Sequence, residues 1–304
     1  MIKKYKYKNI VWVDLISPTP EEVREIMEKY RISPNVAEEL LVPSLKPKVD
    51  LHRDYIYLIL HFPAIRHSHK EDPNQEVDFI LGKKFIITAH YDTIDPLHKF
   101  SKIFEVSTIL EKEMGADHAG HIFYHMIKKL YKSLGHELDF ISDQLKRTES
   151  KMFSDQEKKI VYELSLSSRD LIQFKNPLRL HSEVLHSLEP AVKKIYGDDY
   201  EYYFRSIEGA FTRVKNLLDT NMDIMYDLRT TNDALLSSKQ NEIMQKLTVI
   251  SFITFPLSVI AGVFGLSSNY VPLMDKPSGF YIVIGIMAII SITMYLTFKK
   301  KGWF

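Results

Sequence analysis

One set of residues in this sequence has types and spacing that could line a water-filled path. Its members recur at steps of three and four residues, so that they share one face of a helix. Most of them are small or polar, and their side chains carry mainly hydroxyl, amide and carboxylate groups. We call this set the polar stripe; it consists of Asp223, Asp227, Thr230, Ala234, Ser237, Asn241, Met244, Leu247, Ser251, Phe255, Ser258, Gly262 and Gly265.

The stripe allows two interpretations, because its second half lies in strongly apolar sequence. A lone helix gains nothing from hydroxyls that face lipid, whereas several copies around an axis could place the stripe on a water-filled path. Alternatively, the serines and threonines bond only their own i−4 carbonyls in a packed pair of membrane helices. Periodicity alone does not choose between a pore and packing.

Histidines form a second candidate site for metal chemistry. His118, His121 and His125 are spaced i, i+3 and i+7 on a predicted helix, and His67 and His69 form a His-x-His pair in a loop. Imidazole suits Zn²⁺, Co²⁺ or Ni²⁺ better than Mg²⁺. The same pattern also fits histidines that are solvated or stacked on other rings. Side chains on one helix face surround a metal poorly unless a second element supplies further ligands.

The polar stripe needs a helix that enters a membrane, and two uncharged runs supply candidates. Residues 247–264 and 280–298 contain no charged side chain, and each approaches the roughly 20 residues that cross about 30 Å of hydrocarbon. No proline separates Tyr200 from Pro256. We therefore predict one helix over residues 200–264, about 100 Å long at about 1.5 Å per residue.

The first 110 residues predict an α/β domain, because short apolar runs alternate with turn and helix signals. Thr19, Pro20 and Glu22 form a helix-start pattern with a capping box, which predicts a helix to about Lys29. A further helix is expected after Pro96. The predicted strands are Ile10–Leu15, Tyr55–Leu60, Val77–Leu81 and Phe85–Thr88.

Residues 111–246 predict a helical bundle and stalk of coiled-coil character. The main breakers are Pro177, Pro190 and the turn at Gly197-Asp198-Asp199. Apolar positions at alternating steps of three and four residues predict a packing seam. The seam consists of Leu138, Ile141, Leu145, Thr148 and Met152.

The flanking charges predict how the two spans are oriented. Lys299, Lys300 and Lys301 follow the second span, which places that end in the cytoplasm by the positive-inside rule. Two spans then put the N-terminal body on the same side, and the absence of cysteine fits a reducing compartment. After the bundle and stalk, the predicted segments are a first transmembrane helix at 247–264, an extracellular loop at 265–279, a second transmembrane helix at 280–298 and a basic cytosolic tail at 299–304.

Several classes of function are excluded by what the sequence lacks. It has no cysteine nucleophile, no P-loop, no Gly-x-Ser-x-Gly and no His-Glu-x-x-His, which argues against an enzyme. Only one acid and four bases follow residue 246, so residues 1–246 carry a net charge of −2. This balance does not provide the basic face that binding to nucleic acid requires.

The residues are similar to those of the CorA-type divalent-cation (magnesium) transporter family over nearly the whole chain. The agreement extends over separate segments in the same order, and the C-terminal third is the most specific. The segments include Trp12-Val-Asp-Leu15, Lys46-Pro-Lys-Val49, Leu81-Gly-Lys-Lys-Phe-Ile-Ile-Thr88, Asn241-Glu-Ile-Met244, Ile260-Ala-Gly-Val-Phe-Gly265, Tyr270-Val-Pro272 and Phe298-Lys-Lys-Lys-Gly-Trp303.

The resemblance implies a fold, an assembly and an activity. The expected fold is a cytosolic α/β domain, long stalk helices and a two-helix transmembrane hairpin, assembled as a funnel-shaped homopentamer in the plasma membrane. The polar stripe would line its axis. Divalent cations, Mg²⁺ first, would enter the cell down their electrochemical gradient, with both termini cytoplasmic and no cofactor.

This sequence also departs from the family pattern at the residues that resemblance assigns to the ion. The family signature Tyr-Gly-Met-Asn at the pore mouth reads Phe264-Gly265-Leu266-Ser267 here, so Ser267 replaces the asparagine. Asn269, Tyr270 and Asp275 are the candidate residues of the extracellular loop that follows. Phe255 and Ser258 replace a methionine and a threonine, Thr230 replaces an acidic ring, and Arg66 and Ser206 replace regulatory acids.

These departures keep two alternatives to a magnesium transporter open. One is a Zn²⁺, Co²⁺ or Ni²⁺ transporter of the same superfamily, which the histidines favour. The other is a non-conducting membrane-anchored scaffold or sensor that retains the fold. Rings of Leu247 and Phe255 could gate the path by dewetting in a transporter or close it permanently in a scaffold.

Overall fold

A computed structural model describes residues 1–44, 46–63, 74–91, 94–109, 118–154, 157–265 and 279–303. The chain divides into two compact units, Met1–Arg229 and Thr230–Phe304. The strands are β1 (Ile2–Tyr7), β2 (Ile10–Ile16), β3 (Lys48–Leu51), β4 (Tyr55–Pro63), β5 (Asn74–Gly82) and β6 (Phe85–His90). The α-helices are α1 (Pro20–Tyr30), α2 (Pro34–Glu39), α3 (Asp95–Ile109), α4 (Ala119–Lys151), α5 (Glu157–Tyr196), α6 (Glu201–Phe264) and α7 (Gly279–Lys300).

The described strands form one sheet in the order β1-β2-β6-β5-β4-β3. Only β2 and β6 are parallel, and all other neighbours are antiparallel. The connection between these two parallel strands contains α1, α2 and the β3-β4-β5 meander. The predicted strands are all present, each at its predicted position or slightly longer.

Helices α1 and α2 lie on one face of the sheet. The predicted capping box starts α1, with the backbone N–H of Glu22 donating to Thr19 Oγ1 at 3.3 Å and that of Thr19 donating to Glu22 Oε2 at 3.0 Å. Apolar residues of both helices pack against β2, β4, β5 and β6. This core includes Val13, Leu15, Val23, Ile26, Val36, Leu40, Ile59, Ile80 and Ile87.

The opposite face of the sheet is covered by α3, α4 and α5, with aromatic contacts. Trp12 is fully buried and stacks on Tyr5, with ring centroids 4.6 Å apart, and it also meets Phe100 and Phe104 of α3. Its indole N–H donates to Thr88 Oγ1 at 2.9 Å. Because the indole N–H is satisfied, Trp12 can be buried completely.

Helices α4 and α5 continue the same compact unit. Every residue of the predicted seam, from Leu138 to Met152, is buried. The expectation that Pro177 and Pro190 break the helix is wrong, because both lie inside α5. A proline removes one N–H bond and crowds one preceding turn, and the packing of a 40-residue helix outweighs that local cost.

A buried histidine links the sheet to the helices. His181 of α5 is fully buried; its Nε2 lies 2.8 Å from the carbonyl oxygen of His61, and its Nδ1 lies 3.0 Å from the hydroxyl of Tyr131. A carbonyl can only accept, so Nε2 carries the proton and Nδ1 accepts from the tyrosine. Burial lowers the pKa of His181 to about 4, and the ring is therefore neutral at pH 7.

This arrangement predicts acid sensitivity of the first unit. In the unfolded chain the pKa of His181 returns to its ordinary value near 6.5, so the unfolded state binds the proton first as pH falls. The free energy of unfolding of the first unit should therefore decrease as the pH falls from about 6.5 to about 4, by at most about 3 kcal/mol. Thermal unfolding of the detergent-solubilised protein at pH 7 and pH 5 measures the loss.

The His181→Gln variant should be less stable at pH 7 but should change less between the two pH values. His186 lies on the exposed face of the same helix, and His186→Gln should keep the pH dependence of the wild type. An unchanged pH dependence in His181→Gln would contradict this account.

The second unit contains the apolar end of α6 and all of α7. Helix α6 is continuous from Glu201 to Phe264, as predicted, and Pro256 lies inside it. Phe252 of α6 meets Phe298 of α7, with ring centroids 6.2 Å apart, and Trp303 packs on Phe298 at 5.6 Å. In the described part of the chain, α6 and α7 are the helices long and apolar enough to cross a membrane.

Candidate ion pathway

The polar stripe lies along α6, and Gly265 directly follows the last residue of that helix. Every member of the stripe is exposed in the single chain. This holds even for its large apolar members, since Leu247 is 53% and Phe255 72% exposed. In the part of the chain that the structure describes, this face is therefore left largely uncovered.

The chain covers the other side of the same helical segment. The covered positions lie two residues from members of the stripe, and two residues of an α-helix correspond to about 200° of rotation. Val249 is fully buried, and the remaining positions are partly buried. They are Ile253, Leu257, Ile260 and Phe264. The stripe therefore lies on the uncovered part of this segment, which also includes Ile250, Phe252, Val259 and Val263 and is open to water, lipid or another copy of the chain.

The serine hydroxyls of the stripe are already bonded within the helix. Ser251 Oγ donates to the carbonyl oxygen of Leu247, and Ser258 Oγ donates to that of Thr254, both at 2.9 Å. This is the bond expected in the packing interpretation. It also fixes the hydroxyl proton on the backbone and leaves oxygen lone pairs as acceptors. Water bound to a cation donates its hydrogens outward, so such an oxygen can still hold a hydrated ion.

Exposed carboxylates occupy the N-terminal end of the stripe. Asp223 and Asp227 lie one turn apart, and neither forms an ion pair with a base in the described part of the chain. Thr230 follows them on the same face and is also exposed. Repeated around an axis, these acids would form two rings of negative charge that attract cations.

The two glycines of the stripe differ in whether their surroundings leave room for a side chain. A Cβ on Gly265 would lie 3.0 Å from the carbonyl oxygen of Ala261, which accepts the Gly265 N–H at 2.8 Å. A Cβ on Gly262 would meet no atom within 4 Å. Among the described residues, nothing within 4 Å requires glycine at 262, so we attribute that choice to whatever faces the stripe.

The residues predicted at the pore mouth and in the extracellular loop beyond Gly265 lie outside the described residues. They are Leu266, Ser267, Asn269, Tyr270 and Asp275. The same applies to Arg66, His67 and His69. Their assignment therefore stays a prediction.

The structure gives no support to a metal site at His118, His121 and His125. The rings of His118 and His121 stack at 4.2 Å with an interplanar angle of 22°, and His118 also stacks on Tyr196 at 4.7 Å. The ring of His125 instead meets Tyr124 edge-on. Stacked rings do not point their in-plane lone pairs at a common ion, and the described residues contain no group of three potential ligands placed to hold a metal. The stacking interpretation fits this arrangement.

Comparison with known proteins identifies the family. A family model described as "CorA-like Mg2+ transporter protein" matches residues 7–300. The chain belongs to the CorA family. The expected fold class is confirmed, with an α/β domain, long helices and two apolar C-terminal helices.

CorA relatives match nearly the whole chain at low identity. The "Cobalt/magnesium transport protein CorA" of Thermotoga maritima is 27% identical, over 92% of this chain and 79% of that protein. The "Putative metal ion transporter YfjQ" of Bacillus subtilis is 26% identical, over 96% and 89%. The solved CorA magnesium transporter from Methanocaldococcus jannaschii superimposes with a TM-score of 0.83 at 20% identity, covering 99% of this chain and 93% of that one.

The structure also contains an aromatic contact that residue spacing did not predict. The segment Phe298-Lys-Lys-Lys-Gly-Trp303 supplies the basic tail and part of the family resemblance. In the structure its aromatic rings also contact each other, and Phe298 contacts Phe252. Phe298 and Trp303 lie five residues apart, on either side of the end of α7, where the chain turns back. That spacing is the sequence signal that could have predicted the contact. This contact anchors the C-terminal end of α7 beside α6.

Proposed function

We propose that this chain is a subunit of a CorA-type channel that carries divalent cations, Mg²⁺ first, into the cell down their electrochemical gradient. The polar stripe lines the path. The observation that carries the proposal is that all stripe residues stay exposed, while in the apolar part of the same helix Val249, Ile253, Leu257, Ile260 and Phe264 are covered. The cation is the cargo, and the proposed activity requires no cofactor.

One stripe cannot enclose an ion, so the path requires several copies of α6 around an axis. We propose a homopentamer in the plasma membrane, supported by the resemblance to the family and by the uncovered stripe. Gly262 would permit close approach of backbones or leave width for a hydrated ion. Ser251 and Ser258 would supply acceptors at two levels of the path.

The proposed chemistry suits a hydrated dication. Mg²⁺ gives up its water reluctantly, so neutral oxygens that accept from the water shell cost less than direct coordination. An inside-negative potential contributes about 2.3 kcal/mol per charge per 100 mV, hence nearly 5 kcal/mol for a dication. The exposed carboxylates of Asp223 and Asp227 would then stabilise the ion near the stalk end.

The proposed orientation has both termini in the cytoplasm. Its support is the basic run Lys299–Lys301 directly after the apolar part of α7. The chain contains no cysteine, so a single introduced thiol is unique. A membrane-impermeant maleimide should label Trp303→Cys in lysed cells only, and labelling in intact cells would reverse the orientation.

The same cysteine-free background allows a direct test of the path. Ser258 belongs to the stripe, whereas Val263 is also exposed in the single chain but points about 140° away from it. In proteoliposomes, a small methanethiosulfonate reagent should reduce Mg²⁺ flux through Ser258→Cys at least about fivefold, a barrier of about 1 kcal/mol. Flux through Val263→Cys should change less than twofold.

Comparing the uptake of several divalent cations into the same vesicles identifies the transported ion. Uptake under an inside-negative potential should be highest with Mg²⁺, and the relative named for cobalt and magnesium makes Co²⁺ the first competitor to compare. Preference for Zn²⁺, Co²⁺ or Ni²⁺ over Mg²⁺ would favour the alternative transporter. A flat trace with every ion would favour the non-conducting scaffold or sensor.

A further inference from the structure

A groove in the first compact unit belongs to no part of the proposed ion pathway. It lies between α4 and the first part of α6, with a cavity volume of about 760 Å³. No stripe residue lines it. Its walls include Tyr131, Gly135, Ala210, Val214 and Leu217, of which Tyr131 is fully buried and Val214 is 5% exposed. The floor is therefore nonpolar, with an aromatic ring within it.

Positive charge converges on the rim of this groove. Lys128, Lys129, Lys132 and Arg213 line it, against a single lining carboxylate, Asp139. None of these five residues forms an ion pair with another part of the chain that the structure describes. Lys128 Nζ does donate to the Tyr124 hydroxyl at 2.9 Å, which fixes that ammonium at the rim.

A groove with four basic side chains and one carboxylate in its lining favours anions. Concave surfaces lined by one sign of charge focus the potential and concentrate counter-ions. Arginine offers a planar pair of donors that matches phosphate, and lysines add point charges around it. The cavity also falls within the range of about 300–1,000 Å³ typical of small-molecule sites. Inorganic phosphate would satisfy the rim but leave the nonpolar floor uncovered.

We propose that the groove between α4 and α6 binds a phosphate-bearing small molecule with a flat nonpolar moiety, the chemical class of nucleotides. The phosphates lie among Lys129, Lys132 and Arg213, and the nonpolar moiety lies over Val214 and Leu217. This binding is independent of whether the polar stripe conducts.

Binding to the full-length protein in detergent tests this site. Adenosine triphosphate is titrated calorimetrically in the presence of a chelator, so that metal binding does not contribute. Measurable binding to the wild type should weaken at least about tenfold in Lys129→Gln/Lys132→Gln/Arg213→Gln, about 1.4 kcal/mol. It should also weaken with added salt. Inorganic phosphate and adenosine should each bind more weakly than the complete nucleotide.

A matched variant removes the same charge from outside the groove. Lys146, Lys215 and Arg169 are exposed on α4, α6 and α5 and do not line the cavity, so Lys146→Gln/Lys215→Gln/Arg169→Gln should bind like the wild type. Equal weakening in both triple variants would overturn the site in favour of nonspecific attraction. No binding to the wild type would also overturn it, and dissociation of the oligomer in the groove variant alone would assign the surface to a contact between copies.

Discussion

Replacing Gly262 with leucine should reduce cation flux at least about tenfold, which corresponds to a barrier of about 1.4 kcal/mol. In the single chain, a Cβ at this position meets none of the described atoms within 4 Å. The helix itself therefore tolerates the change. Around an axis, however, the same substitution adds one isobutyl group per copy to the path, and a nonpolar ring there blocks a hydrated ion by steric exclusion and dewetting.

A matched glycine in the second span controls for effects on folding and insertion. Gly285 lies in α7, and a Cβ there also meets no atom within 4 Å. Gly285→Leu should leave the flux within about twofold of the wild type, since α7 carries no stripe residue. The measurement is Mg²⁺ uptake into proteoliposomes at equal protein content, with oligomer size checked by light scattering. Equal flux in Gly262→Leu and the wild type would remove the stripe from the path.

The sequence predicted the elements whose signals are local and strong. The capping box at Thr19 and Glu22 is such a signal, because both partners lie within one helical turn. The long helix α6 is another, since more than 50 residues pass without a proline. Pro177 misled the prediction because a proline signal is local, whereas the packing that holds α5 together is not.

Three short elements were not predicted, and each has a physical reason. The strand β1 contains three lysines, which conceal an alternating pattern; Tyr5 and Tyr7 point inward, and Tyr5 stacks on Trp12. The helix α2 is only six residues long, and β3 only four. Such segments are stabilised by their neighbours in the sheet or core rather than by their own propensity.

The candidate path was predicted more completely than the groove. Periodicity shows which residues of one helix share a face, so the stripe could be read from spacing alone. That its face is uncovered required the structure, because covering depends on the positions of other elements. The groove brings Lys132 of α4 beside Arg213 of α6. Residues about eighty positions apart carry no shared local signal, so sequence spacing could not have found it.

Replacing Phe255 with alanine should raise Mg²⁺ flux, by about fivefold for a barrier lower by about 1 kcal/mol. Phe255 is 72% exposed and lies between Ser251 and Ser258 on the stripe. In the proposed pentamer with the stripe on the axis, five phenyl rings would form a nonpolar constriction that water leaves readily. Alanine widens that ring and lets the ion keep its water shell. The measurement is initial uptake into proteoliposomes under a fixed inside-negative potential.

Phe252 provides the control on the same helix. It is 57% exposed, lies off the stripe, and its ring meets Phe298 of α7. Phe252→Ala removes the same side chain from a contact between the two apolar helices, so it should lower thermal stability without increasing flux. If both variants raise uptake, the effect comes from loosened helix packing and not from a gate. If neither the wild type nor Phe255→Ala conducts, a permanently closed scaffold explains the uncovered stripe better than a channel does.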